Sequence, residues 1–196
     1  MRPLRTLLAV SAMMLSTGLA SAETWTIDPA HSHIGFSVKH MMISNVEGVF
    51  HDVKGSANID DKDPAKDSAE LTIGAASIDT GTPDRDKHLK SPDFFDVEKF
   101  PALSFKSTGV TKAGEGELKV AGNLTLHGIT HNVVFDVEGP TPPAKDPWGN
   151  TRIGLSATTK INRKDFGLTW NAALETGGIL VGEEVTITLD VQFVKA

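Results

Sequence analysis

Ile34, Phe36 and Val38 alternate with Gly35, Ser37 and Lys39, and the same two-residue period returns along the whole chain. Leu71 and Ile73 flank Thr72, while Leu118, Val120, Leu124 and Leu126 lie opposite Lys119, Asn123, Thr125 and His127. Val133, Phe135 and Val137 oppose Asp136 and Glu138. Near the end, Val185, Ile187, Leu189, Val191 and Phe193 face away from Thr186, Thr188, Asp190 and Gln192. Successive side chains of a strand point to opposite faces, so this period describes half-buried strands with one face on a core and one in water.

Turn residues separate the strands. Asp60-Asp61-Lys62-Asp63-Pro64 reads as a polar connection, Ala113-Gly114-Glu115 as a tight hairpin and Gly128 as another. Pro140, Pro142, Pro143 and Pro147 mark a rigid loop before a strand around Arg152 to Lys160. The pattern predicts an all-β chain of about eight strands, with short helical turns near Asp84 to Leu89 and Lys164 to Leu174. Sequential antiparallel strands with one apolar face close into a barrel or fold into a sandwich. An outer-membrane barrel would turn its apolar face outward and carry aromatic girdles. This chain has no Tyr and three Trp, and charges stand opposite its apolar rows, so the apolar rows belong inside a water-soluble shell. A barrel of about eight strands is either just filled by its side chains or holds one ligand. Alternation leaves both outcomes open.

Arg2 and Arg5, the mostly apolar run Leu7 to Leu19 and the small residues Ala20-Ser21-Ala22 read as a cleavable export signal, too short to span a bilayer. Residues 1–22 are therefore expected to be removed, leaving 23–196 as one domain, and loss of both arginines takes the formal charge from -6 to -8. An acidic chain has no electrostatic footprint for nucleic acid. With no Cys, disulfides, thiolate metal sites and thiol catalysis are excluded.

The chemistry-bearing residues are few. His31 and His33 share one face of an extended segment and, with a carboxylate, would form the start of a divalent-metal site, the basis of an alternative reading as a metal-assisted enzyme. No second cluster supports it, and no metal or catalytic residue is assigned. No nucleophile elbow, zinc-protease motif, P-loop or dinucleotide fingerprint occurs. Arg85, Asp86 and His88 fall within one helical turn and are expected at the polar rim of a pocket, as is Arg163. Phe94, Phe95, Phe166 and Trp170 are candidates for an apolar mouth. From the alternation, the expected apolar lining is Phe36, Val38, Leu71, Ile73, Leu124, Leu126, Phe135, Leu155, Ile187 and Leu189.

Four stretches, in order, resemble the YceI family: Trp25 to Phe36 (WTIDPAHSHIGF), Arg85 to Asp96 (RDKHLKSPDFFD), Gly122 to Thr130 (GNLTLHGIT) and Arg163 to Leu168 (RKDFGL). Departures such as Lys90 and Phe100 are conservative. The resemblance implies a single lipocalin-like, extended antiparallel barrel in the periplasm. It implies a polyisoprenoid, an isoprenoid quinone-type lipid or a similar long-chain amphiphile as bound ligand, with no other cofactor, transient membrane contact without a membrane span, and compatibility with a homodimer. A filled barrel acting as a stress-response interaction module is the further alternative.

Overall fold

The computed structural model describes residues 22–60, 62–175 and 177–196. The expected export signal, apart from Ala22, lies outside the described residues.

Twelve antiparallel strands form one sheet: β1 (Glu23–Ile27), β2 (His33–His40), β3 (Ser44–Phe50), β4 (Val53–Ile59), β5 (Ser68–Gly74), β6 (Ile78–Asp79), β7 (Ala102–Gly114), β8 (Glu117–Leu126), β9 (Ile129–Glu138), β10 (Ala144–Lys145), β11 (Thr151–Asn162) and β12 (Val181–Lys195). They reduce to eight staves. β1 and β2 follow one edge of β12, meeting Phe193–Lys195 and Val181–Asp190 respectively, and are separated only by a short 3-10 turn, Pro29–His31. β3 and β4 run on across His51 and Asp52, and β5 continues into β6 across the 3-10 turn Ala75–Ser77. β11 then pairs with β12 from Arg152↔Val194 to Asn162↔Glu184 and closes the ring. The result is a closed eight-stave antiparallel barrel, the architecture the resemblance implies and one of the two that the alternation allows.

Local chemistry sets the joints. Pro29 suits the first position of a 3-10 turn, because its missing N–H is not needed there, and the Asp28 carboxylate caps the turn by accepting the Ala30 N–H at 3.0 Å. The β8–β9 hairpin turns at His127 and Gly128, both with positive φ (49° and 74°), the backbone twist that matches a two-residue hairpin. The β7–β8 hairpin turns at Glu115 and Gly116, one or two residues beyond the expected Ala113-Gly114-Glu115, because Gly114 still pairs with Glu117. The proline-rich loop carries the two-residue strand β10, paired with β11.

Among the described residues one α-helix, α1 (Pro83–Lys90), lies where a helical turn is expected. The second expected helical region shrinks to a 3-10 turn, Arg163–Phe166. Gly167, with φ 77°, stops it by donating its N–H to the Arg163 and Lys164 carbonyls, so 167–174 is not helical. No helix among the described residues is long and apolar enough to cross a membrane.

Two ends follow from this topology. One carries the β2–β3 turn, α1 with the segment leading to β7, the β8–β9 turn and the connection from β11 to β12. The other carries the β4–β5 and β7–β8 connections and the loop before β11. At this second end Arg152 joins β11 to the turn that follows β1. Its Nη1 donates to Asp28 Oδ2 (2.5 Å) and its Nε to Asp146 Oδ2 (2.8 Å). These charge-assisted bonds hold the Asp28 and Asp146 carboxyls down at about 2.

Candidate ligand-binding cavity

The inward rows do not fill the barrel. Trp25, Ile27, Val53 and Ile153 are buried without bordering the void, whereas a cavity of about 240 Å³ runs past residues of both barrel ends. About 10–15 Å³ suffices for one water, but the lining is almost wholly hydrocarbon and offers water few hydrogen-bond partners.

All ten residues expected from alternation border this cavity: Phe36 and Val38 on β2, Leu71 and Ile73 on β5, Leu124 and Leu126 on β8, Phe135 on β9, Leu155 on β11, and Ile187 and Leu189 on β12. The same rows add side chains that were not singled out, among them Phe50, Leu103 and Phe105. Two inward positions are glycines, and each receives an aromatic ring from a neighbouring strand: Phe36 over Gly48 and Phe105 over Gly122. A ring laid flat on the wall leaves the lumen open.

At the α1 end the cavity meets Leu89, Phe94, Phe95 and Leu168. Phe95 stands edge-on to Phe50 with ring centres 5.8 Å apart, and Phe50 lies 5.9 Å from Phe36. Phe94 is capped from outside by His88 (5.0 Å) and Trp170 (5.1 Å). Of the four expected mouth residues, Phe94 and Phe95 border the cavity, and Trp170 stacks on Phe94 without reaching it. Phe166 is also displaced from the lining. It is 2% exposed in the core, edge-on to His131, and Leu168 takes the inward position because the 3-10 turn breaks the two-residue period.

The expected polar rim is built differently. Arg85 and Asp86 do not border the cavity and instead both grip Thr80. Arg85 Nε donates to Thr80 Oγ1 (2.7 Å) and Nη2 to the Thr80 carbonyl (2.8 Å), while Asp86 Oδ1 accepts the Thr80 N–H (2.9 Å). They fasten the approach to α1. His88 Nε2 sits 2.9 Å from Asp93 Oδ2 and turns its ring to Phe94, again outside the lining. Arg163 does border the cavity and is 4% exposed, but its guanidinium donates to the carbonyls of Gly182 (2.8 Å), Leu168 and Val181 (3.3 Å). Burial lowers its pKa, and Glu183 partly offsets that. Arg163 therefore braces the connection to β12. Polar atoms approach the cavity at the opposite end instead, through Asn58, Asp67 and Ser68. There Asn58 Nδ2 donates to Ser68 Oγ (3.3 Å) and Asp67 Oδ1 accepts the Asp60 N–H (2.8 Å).

The two histidines raised as metal ligands are drawn elsewhere. His31 Nδ1 lies 2.8 Å from Asp28 Oδ2, which already receives Arg152, and the His33 ring covers Gly35. Among the described residues, no group of three His, Cys, Asp or Glu side chains is placed to hold a metal ion.

A family model, the YceI-like domain, matches residues 25–193. A UPF0312 protein of Serratia proteamaculans is 44% identical over 164 residues, covering 83% of this chain and 84% of the relative. The barrel superposes on the crystal structure of BcnA from Burkholderia cenocepacia with a TM-score of 0.73 at 25% identity, over 85% of this chain and 98% of that one. It also superposes on a polyisoprenoid binding domain from Saccharophagus degradans with a TM-score of 0.63 at 15% identity, over 88% and 98% of the two chains, a likeness of fold.

Proposed function

Given that the chain belongs to the YceI-like domain family, we propose that it is a carrier that holds a polyisoprenoid, isoprenoid quinone-type or similar long-chain lipid, tail inward, within its barrel in the periplasm. The apolar cavity carries this reading. A lumen lined mainly by Phe36, Val38, Leu71, Leu124, Phe135, Ile187 and their apolar neighbours, with Asn58, Asp67 and Ser68 reaching it at one end, suits an elongated hydrocarbon. The polyisoprenoid-binding description of the Saccharophagus degradans neighbour supports the ligand class.

Affinity in such a site is a competition. Moving a tail out of water yields about 0.8 kcal/mol per CH₂. A tail that starts in a bilayer is already out of water, so most of that gain cancels. What remains is the fit of the tail to the flattened rings of Phe36 and Phe105, the entropy lost on confinement, and contacts made by the head group at a barrel end. Selection therefore acts on tail shape and length. The chain delivered by the export signal would work between membranes, binding reversibly.

Uptake of a fluorescent polyprenol from detergent micelles tests the proposal. Saturation at one lipid per chain, competed by unlabelled polyprenol, is the expected result. No saturable uptake by folded protein would refute it.

A further inference from the structure

Exposed apolar side chains gather at one end of the barrel. The β2–β3 turn presents Met42, 64% exposed, and Ile43, 79% exposed, and Ile129 at the start of β9 is 39% exposed at the same end. Met41 and Met42 both hold left-handed backbone conformations, φ 53° and 60°. That region is costly for side chains other than Gly, Asn or Asp, which would be the ordinary choices in such a turn. The turn thus accepts strain while showing thioether and aliphatic carbon to solvent.

Its position joins it to the cavity. The Met41 N–H donates to the Leu180 carbonyl at 2.7 Å, and the next residue, Val181, borders the lumen. Leu180 ends the connection that starts at Arg163 and includes Leu168, another lining residue. The apolar tip is therefore hydrogen-bonded to the segment that covers this end of the barrel.

Resting on the carrier reading above, we infer that the β2–β3 tip is a bilayer-docking element through which the lipid is collected and released, with Met42 and Ile43 entering the membrane interface. Three observations favour a bilayer over a protein partner. Two side chains on a hairpin tip fall far short of the roughly 800 Å² per partner of a specific protein interface. The stretch from Ser37 to Val46 contains Lys39 and His40 but no acidic residue, in a chain of formal charge -6. Lys39 is exposed and forms no salt bridge among the described residues, which leaves it available to lipid phosphates. Apolar side chains with a nearby cation such as Lys39 fit an interfacial anchor.

The experiment measures transfer of the fluorescent polyprenol from phosphatidylethanolamine–phosphatidylglycerol vesicles to the full chain, for wild type, the Met42→Ser/Ile43→Ser double variant and Trp148→Ser. Trp148 is 81% exposed in the loop before β11, at the opposite end, and serves as the control. The double variant should collect lipid from vesicles at least about tenfold more slowly, because it withdraws two apolar side chains and the loss of one alone accounts for about tenfold. Its saturable uptake from micelles should be unchanged, and Trp148→Ser should match wild type in both assays. Normal micelle uptake with an unaltered vesicle rate in the double variant would overturn this inference alone. An equal slowing in Trp148→Ser would overturn it too, as would light scattering that shows a wild-type dimer split by the double variant, since the tip would then belong to a second copy. Failure of wild type to take up polyprenol even from micelles would overturn the carrier reading and this inference with it.

Discussion

The ring of Phe36 occupies the space that a side chain at Gly48 would need. A Cβ built at Gly48 would stand 2.5 Å from the ring's Cζ, and the two residues face each other across β2 and β3. Lumen width at this level depends on that missing carbon.

Gly48→Ala should push the Phe36 ring toward the lumen, with a stability loss of about 1–3 kcal/mol from overpacking. Polyprenol uptake should fall, and Phe36→Leu in the same chain should restore part of it. Uptake titrations and thermal melts of the three proteins check this; unchanged uptake in folded Gly48→Ala would remove Phe36 from the ligand's path.

Leu124 and Phe135 face the cavity from β8 and β9. Leu124→Trp or Phe135→Trp fills part of the hollow, so a folded variant should favour shorter isoprenoids over longer ones relative to wild type. Competition between isoprenoids of graded length reads the shift, and an unaltered length preference would place the tail elsewhere.

The carboxyls of Asp28 and Asp146, held at about 2 by Arg152, bind protons less readily than the ordinary Asp value of 3.8 allows. A depressed carboxyl stabilises the fold above its unfolded pKa, and that contribution disappears as pH falls through the folded one. Melting temperature should therefore drop between about pH 4 and pH 2. Arg152→Met should lower the melting temperature above pH 4 and flatten the acid decline; an identical pH profile in the variant would show that the pair does not couple to folding.

Arg163→Met would strip the side-chain donors from the Gly182 and Leu168 carbonyls inside the barrel end, while the Val181 carbonyl keeps the Asn171 amide at 2.7 Å. Unsatisfied buried groups of this kind cost about 1–3 kcal/mol each, reduced where water enters. Arg163→Lys should recover little, because an ammonium lacks the planar fork that reaches separate carbonyls. Denaturant unfolding of the three proteins measures the loss, and stability within error of wild type would deny the residue its bracing role.

Much of the barrel is legible in the sequence because a strand has a strict period. Once Phe36 is placed inward, Val38 follows, and the same count along β12 places Ile187 and Leu189. The count stops wherever the backbone leaves the strand. The 3-10 turn Arg163–Phe166 and the left-handed Gly167 reset the phase, which is why Leu168 rather than Phe166 meets the cavity. Charged motifs are harder to read for a different reason. Arg85 and Asp86 have the composition of a head-group clamp, but their partners are a hydroxyl and backbone groups of Thr80, which composition does not reveal. The role of Gly48 and Gly122 is equally hidden, since it lies in a ring contributed by the neighbouring strand.

Mass spectrometry of an organic-solvent extract of the protein purified from periplasm tests the carrier account most directly. The account predicts about one equivalent of an isoprenoid or similar long-chain lipid per chain, and less in Gly48→Ala. Protein that emerges free of lipid and that also takes up no labelled polyprenol would contradict it.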